Sequence, residues 1–275
     1  MSERADLAQT APTAPAATAT RGRRFLDRYG PPALVVVLTI ALWELIIRVF
    51  EVPTYIWSPP SLIVETMQDE FPDLLSHSAV TLQETLVGFF FAVVFGLGFG
   101  LLLHFSALAK RALYPLLIAS QSIPTVVLAP VFVLVLGFGL WPKVAVVALF
   151  CFFPIVVSTI DGLMGVDREY IRMMLTLDAT RIGIFRRVEF PAALPQIFTG
   201  TRVGATYAAI GAVFGEWAGS EAGLGWQMLQ AKGRLDTALV FADIVFITVM
   251  ALGLFGIVSL VERLTIPWAR KGGVT

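Results

Sequence analysis

The sequence predicts an all-α fold, a polytopic membrane protein with about six transmembrane helices, and three observations carry that prediction. Hydrophobic residues make up 57% of the 275-residue chain and charged residues only 15%, where soluble domains run at roughly 45–50% and about 25%. The apolar residues gather into runs near the roughly 20 residues a helix needs to cross a hydrocarbon core. The basic residues fall mainly between alternate runs, as they do in positive-inside membrane proteins.

The chain opens on "MSERADLAQTAPTAPAATATRGRR", which has too little apolar surface to offset the entropy of ordering it. Residues 1–30 are therefore expected to be a disordered tail. A first span follows at 32–50; its full length, and the lack of a small-x-small cleavage site after "IIRVFEVP", favour a retained helix over a signal peptide. Glu44 and Arg48, four positions apart on it, are placed to pair. In the segment 51–80, Leu62, Ile63, Thr66 and Met67 share a helical face opposite Glu65, Gln68 and Asp69, a pattern for lying at an interface. Further spans are predicted at 83–104, 112–136, 142–164, 199–218 and 238–262. Cys151 is alone and inside one of them, so no disulfide can form within the chain and a small core residue is expected. Small residues recur at four-residue intervals, at Gly96 and Gly100, at Gly200, Gly204 and Ala208, and at Gly211, Gly215 and Gly219, which marks helix faces that approach closely.

Orientation follows from charge. With the N-terminus inside, only Arg48, Lys143, Lys232 and Arg234 of the 20 basic residues fall outside, so both termini and the 165–198 loop are expected to be cytoplasmic. That loop holds Arg181, Arg186 and Arg187, with Arg202 just beyond it, beside Asp178 and Glu189. Asp167 can cap a helix with Glu169 in its first turn and Ile171, Met174 and Leu175 on one side. A second short helix starting at Asp178 or Thr180 sets Ile182, Phe185 and Val188 on its apolar face. Pro191 and Pro195 are expected to turn the chain back to the membrane. A solvated positive-inside loop accounts for the arginines, but not for two apolar stripes unless they dip into lipid.

The stretch "VDREYIRMMLTLDATRIGIFRRVEFPAALPQIFTGTRVG" resembles the cytoplasmic signature loop of ABC importer permeases, the EAA loop. "WSPPSLIVET", "SQSIPTVVLAPVFVLVLGFGLWPKV" and "GEWAGSEAGLGWQMLQAKGRLDTALVFADIVFI" are similar to the same family, and nearest to its nitrate, sulfonate and taurine branch. The resemblance covers most of residues 55–268 and implies a type I ABC importer permease. In the chain's organisation it implies a first helix and external segment at 31–82, a permease core at 83–264 with a coupling loop at 165–198, and a cytoplasmic tail at 265–275. It implies partners: cytoplasmic ABC ATPase subunits, an extracytoplasmic substrate-binding protein, and a second copy of the chain in the bacterial inner membrane. Leu177, Asp178, Ala179, Thr180, Arg181 and Phe185 are the implied ATPase-coupling surface. Two positions depart from the family pattern: Arg172, Met173 and Met174 stand where it has Glu-Ala-Ala, and Asp178 where it has Gly. Asp tolerates positive φ better than most residues, so a turn at 178 remains expected. Arg172 inherits no family role.

Absent chemistry narrows the function. There is no Gly-x-x-x-x-Gly-Lys-Ser/Thr segment to cradle nucleotide phosphates, so the chain is not expected to be an enzyme, and ATP hydrolysis falls to a partner. No cofactor, metal or nucleic-acid partner is expected, and "GLGFG" lies in an apolar run with no strand before it. His104 is expected at an interface, as are Glu84 and Asp161. Gln121, Ser122 and Glu216, polar groups in or beside apolar spans, are the candidates for a substrate pathway. The implied function is inward movement of a small solute by alternating access. Nitrate, sulfonates, taurine, a thiamine pyrimidine and riboflavin are all open as substrates. The alternative, a secondary transporter or channel without an ATPase, predicts mid-span coupling carboxylates and repeat symmetry, neither of which is evident.

Overall fold

The computed structural model describes the backbone of residues 21–270 and the side chains of residues 30–268. The expectations for residues 1–20 and 271–275, and for the side chains of Arg4, Arg21, Arg23, Arg24, Arg28, Arg270 and Lys271, lie outside the described residues. The chain divides after Glu51 into two compact units. The first holds one helix, α1 (Arg21–Val49), which starts earlier than the expected span and carries the Glu44–Arg48 pair at 2.6 Å.

The second unit is built around a long central helix, α6 (Leu140–Met164), flanked by α3 (Phe71–Phe105) and α9 (Phe190–Gly219). Lipid supplies no hydrophobic drive between helices, so their association rests on close packing. The small-residue faces provide it. A methyl at Gly96 would sit 2.8 Å from Ile155 Cγ2, and one at Gly100 2.6 Å from Thr159 Cγ2, so α3 meets α6 along its glycines. From the other side Gly211 and Gly215 lie against the backbone of Val147 and Lys143, at 2.9 and 3.0 Å for an added methyl, and Gly204 against Ile155 at 3.2 Å. Cys151 is a core residue as expected, its Sγ 3.1 Å from the Gly204 carbonyl.

Around this trio stand α2 (Pro60–Asp69), α4 (Ala107–Ser120), α5 (Thr125–Leu136), α10 (Leu224–Gly233) and α11 (Thr237–Thr265). The remaining elements are two short helices, α7 (Arg168–Thr176) and α8 (Arg181–Ile184), a π-turn (Phe185–Glu189) and a closing 3-10 turn (Pro267–Arg270). No strand occurs among the described residues. The face of α2 expected to lie at an interface packs inward, with Ile63 buried, against α11 and α3.

Three span expectations change. Among the described residues four helices are long and apolar enough to cross a membrane, α1 from Gly30, α3, α6 and α11, and α3 starts twelve residues before the expected 83. The expected span at 112–136 is two helices, α4 and α5, bent by 102° across Gln121–Pro124, and as a pair they count as a fifth. Pro124 cannot donate the bond that would continue α4. The expected span at 199–218 is helical, but α9 falls short of the apolarity of the others. Its neighbours are protein, so it is rich in small and polar residues where a lipid-facing helix carries Leu, Ile and Phe.

Because Gly211 abuts backbone, Gly211→Ala forces α9 away from α6 and is expected to cost about 1–3 kcal/mol. Gly98, with open space around it, is the control: Gly98→Ala should hold or raise the melting temperature in detergent.

Candidate functional site

Polar and functional side chains gather at three places. The first is the elbow made by α7 and α8. Asp167 caps α7 by accepting from the Glu169 N–H at 2.9 Å, and Thr180 caps α8 by accepting from the Gly183 N–H at 3.2 Å. Between them Asp178 takes φ 55°. Its N–H bonds to the Leu175 carbonyl at 3.1 Å and that of Ala179 to the Met174 carbonyl at 3.1 Å, the paired pattern that closes a helix through a left-handed residue. Asp therefore does at 178 the work glycine usually does, at a backbone cost an Asp keeps small.

Phe185 does not present its ring outward as expected. It lies on a cluster with His104, Phe105 and Phe190, at centroid distances of 6.0, 4.8 and 5.6 Å. Beside it His104 Nε2 and Glu189 Oε2 are 2.9 Å apart, tying the end of α3 to the π-turn. The inward face of the elbow is Ile184, Phe185 and Val188, and Ile184 is the buried member that the sequence reading missed. Ile182, expected on that face, is 64% exposed. Leu177 is 70% exposed, and Met173 and Leu175 are also on the surface. Pro191 and Pro195 do not turn the chain; they are inside α9, and the wide turn at 185–189 falls just where Pro191 lacks an N–H.

The second place is the break between α4 and α5. Non-helical backbone at membrane depth persists only against protein or water. Here a cavity of about 450 Å³ opens, lined by Gln121 and Thr125 from the break, Phe150, Phe153, Pro154 and Val157 from α6, and Val203, Tyr207 and Ile210 from α9. Of the three pathway candidates only Gln121 lines it. Ser122 is exposed at the break, and Glu216 is elsewhere.

Glu216 belongs to the third place, the far end of the trio. The first N–H groups of a helix have no partner within it. For α10 they are met by side chains of α3 and α9: Gly223 N–H donates to His77 Nδ1 at 3.0 Å, and Leu224 N–H to Thr81 Oγ1 at 2.8 Å. Glu216 Oε2 accepts from Gly225 and Trp226 N–H at 2.5 and 3.1 Å, and its Oε1 accepts from the Thr81 hydroxyl at 2.6 Å. A carboxylate at a helix N-terminus is also favoured by the helix dipole. Alongside, Lys143 donates to Glu84 Oε1 and to Ser220 Oγ, each at 2.7 Å. Lys143 and Glu84 are both buried against protein in this cluster. A lone lysine opening the apolar run of α6 was the signal available for it.

Residues 92–267 match the family described as binding-protein-dependent transport system inner membrane component. The chain belongs to that family. It is 35% identical over 240 residues to the formylaminopyrimidine transport permease protein ThiX of Halalkalibacterium halodurans, covering 87% of this chain and 96% of that one. It is 34% identical over 251 residues to the riboflavin transport system permease protein RibX of Chloroflexus aurantiacus, covering 89% and 94%. A chain of the MetNI methionine ABC transporter, solved in inward-facing conformations, superposes with a TM-score of 0.57 at 21% identity over 70% of this chain and 98% of that one. The permease thus has a type I ABC importer fold and is a multi-pass inner-membrane subunit.

In this permease the Glu216 carboxylate is a structural cap in a shell of buried donors. Removing it in Glu216→Ala leaves the Gly225 and Trp226 N–H groups unpaired, at about 1–3 kcal/mol each. A fall in thermal stability of that order, much smaller in Glu216→Gln, is the expected result of melting the two variants in detergent.

Proposed function

We propose that the elbow is the docking surface for a cytoplasmic ABC ATPase, and that its movement drives alternating access in the permease. What supports this is one observation: α7 packs extensively on no other described element, yet the elbow turns Met173, Leu175, Leu177 and Ile182 outward. An apolar patch of this kind on a loop outside the membrane has the character of a contact surface. Leu177, Asp178, Ala179, Thr180 and Arg181 form it, and Phe185 is the strut beneath it. Docking at the elbow puts the 165–198 loop and both termini in the cytoplasm, in keeping with the placement of Lys and Arg. The loops at the opposite end then receive an extracytoplasmic binding protein. A second copy of the chain completes the path, with Gln121 and Ser122 facing it at the break.

The break cavity bears on the substrate. It holds no charged side chain, but three aromatic rings and the amide of Gln121. That lining suits a neutral heteroaromatic solute, such as the pyrimidine or flavin in the names of the two relatives, better than a sulfonate or nitrate that a cation would hold. The permease of an importer for a vitamin or vitamin precursor is the reading that follows.

Two measurements test these readings. Leu177→Glu with Ile182→Asp, both at exposed positions, should leave the permease folded while the cognate ATPase no longer co-purifies and binding-protein-stimulated hydrolysis falls at least tenfold; retained co-purification sinks the docking surface. Tyr207→Ala should lower uptake of labelled formylaminopyrimidine or riboflavin in reconstituted vesicles several-fold with the complex intact. Uptake of taurine or a sulfonate in place of either would overturn the substrate class.

A further inference from the structure

The cavities, ion pairs and unpartnered side chains of the molecule include a second built recess, of about 550 Å³, between α9 and α11 at the end that carries the elbow. Arg202 of α9 reaches across it, with Nη1 2.8 Å from Glu262 Oε2 and Nη2 donating to Thr199 Oγ1 at 3.1 Å. Those two contacts use two of the five N–H donors of a guanidinium. Arg263, in the last turn of α11, lines the same recess and is exposed. The hydroxyl of Ser259 is buried in it and has no hydrogen-bond partner among the described residues. Glu262 neutralises one arginine, so the recess keeps one positive charge and an unused hydroxyl.

Its depth and its walls say what kind of anion fits. A hydrocarbon core about 30 Å thick spans roughly ten helical residues on either side of its midplane. The midpoint of α11 is Ala251, which sets Ser259, Glu262 and Arg263 at the boundary between acyl chains and head groups. Phe255 and Ile266 form an apolar wall beside them. On α11 Leu260 and Leu264 are exposed at the same level, and Leu252 is exposed nearer the midplane. A soluble anion would gain nothing from these apolar groups, whereas a phospholipid would lay its chains along them.

We propose that this recess binds the phosphate of an anionic phospholipid, held between Arg202 and Arg263 with Ser259 donating to it. Basic recesses between membrane helices on the cytoplasmic side have the chemistry to hold such head groups. The site is separate from the elbow and from the break cavity, and it does not depend on which solute is carried.

The test uses the full-length permease purified in detergent and reconstituted with phosphatidylcholine containing a small fraction of phosphatidylglycerol, with tightly bound lipid counted by mass spectrometry. Phosphatidylglycerol should be enriched over phosphatidylcholine in the wild type, and Arg263→Gln should lower that enrichment about fivefold, the effect of one basic side chain near a charged surface. Arg263 is exposed, so the variant should melt as the wild type does in phosphatidylcholine alone. Ser259→Ala, which removes an unpaired hydroxyl, should reduce the enrichment further in combination. If inorganic phosphate displaces the bound lipid or stabilises the protein equally well, the occupant is a free anion and the lipid assignment fails. Equal enrichment in wild type and Arg263→Gln overturns the site itself.

Discussion

The close approach of α3 and α9 to α6 is the constraint on which everything else in the second unit depends. In water, burial of large apolar side chains would hold such a bundle; in lipid that term is nearly absent, and contact distance takes its place. Gly96 and Gly100 on one side, and Gly204, Gly211 and Gly215 on the other, remove side chains where backbones must touch. The large residues are thereby released to the outside, where Leu, Val and Phe of α1, α3, α5 and α11 stand exposed as a lipid-facing surface requires.

That packing also decides where polar groups can survive. At the end away from the elbow, Glu84, Lys143, Thr81 and Glu216 are buried together with His77 half-buried beside them, and they bond to one another or to the start of α10, Glu84 through Oε1 alone. A buried ion pair is weak evidence for stability, because desolvation offsets most of its attraction. Its value here is positional: Lys143 binds α3 through Glu84 and the end of α9 through Ser220 at once. At the elbow end the corresponding tie is His104 with Glu189, backed by the rings around Phe185.

How far the sequence could be read depended on the kind of signal. The cap at Asp167 and the left-handed turn at Asp178 are local chemistry, and each is where the residues put it, while of the two starts offered for the second helix, Asp178 and Thr180, it is Thr180 that caps it. The glycine faces were legible for the same reason, since spacing of four on a helix is a geometric fact. Hydropathy alone could not locate the 102° break in 112–136, because long apolar runs flank it closely on both sides and only Gln121, Ser122 and Pro124 interrupt them. The direction of Phe185 was misread because a single-turn helix running into a π-turn has no settled face; the choice was made by His104, Phe105 and Phe190, distant or shifted in sequence. Glu216 read as a pathway residue on polarity, and its partners on α3 and α10 could not be inferred from its own neighbourhood.

Because the π-turn joins α8 to α9 without a break, the chain from Arg181 to Gly219 is a single stiff beam, about 58 Å long at 1.5 Å per residue. One tip of that beam is the outward-facing elbow, and near the other the Glu216 carboxylate grips the first turn of α10. Along its length the beam rests on α6, where Gly204, Gly211 and Gly215 meet it closely and Ala205, Ala208 and Ala212 pack with Val147, Cys151 and Ile155. Tilting one tip must swing the other in the opposite sense and carry α10 with it, so the two surfaces of the membrane are mechanically in one piece along this helix.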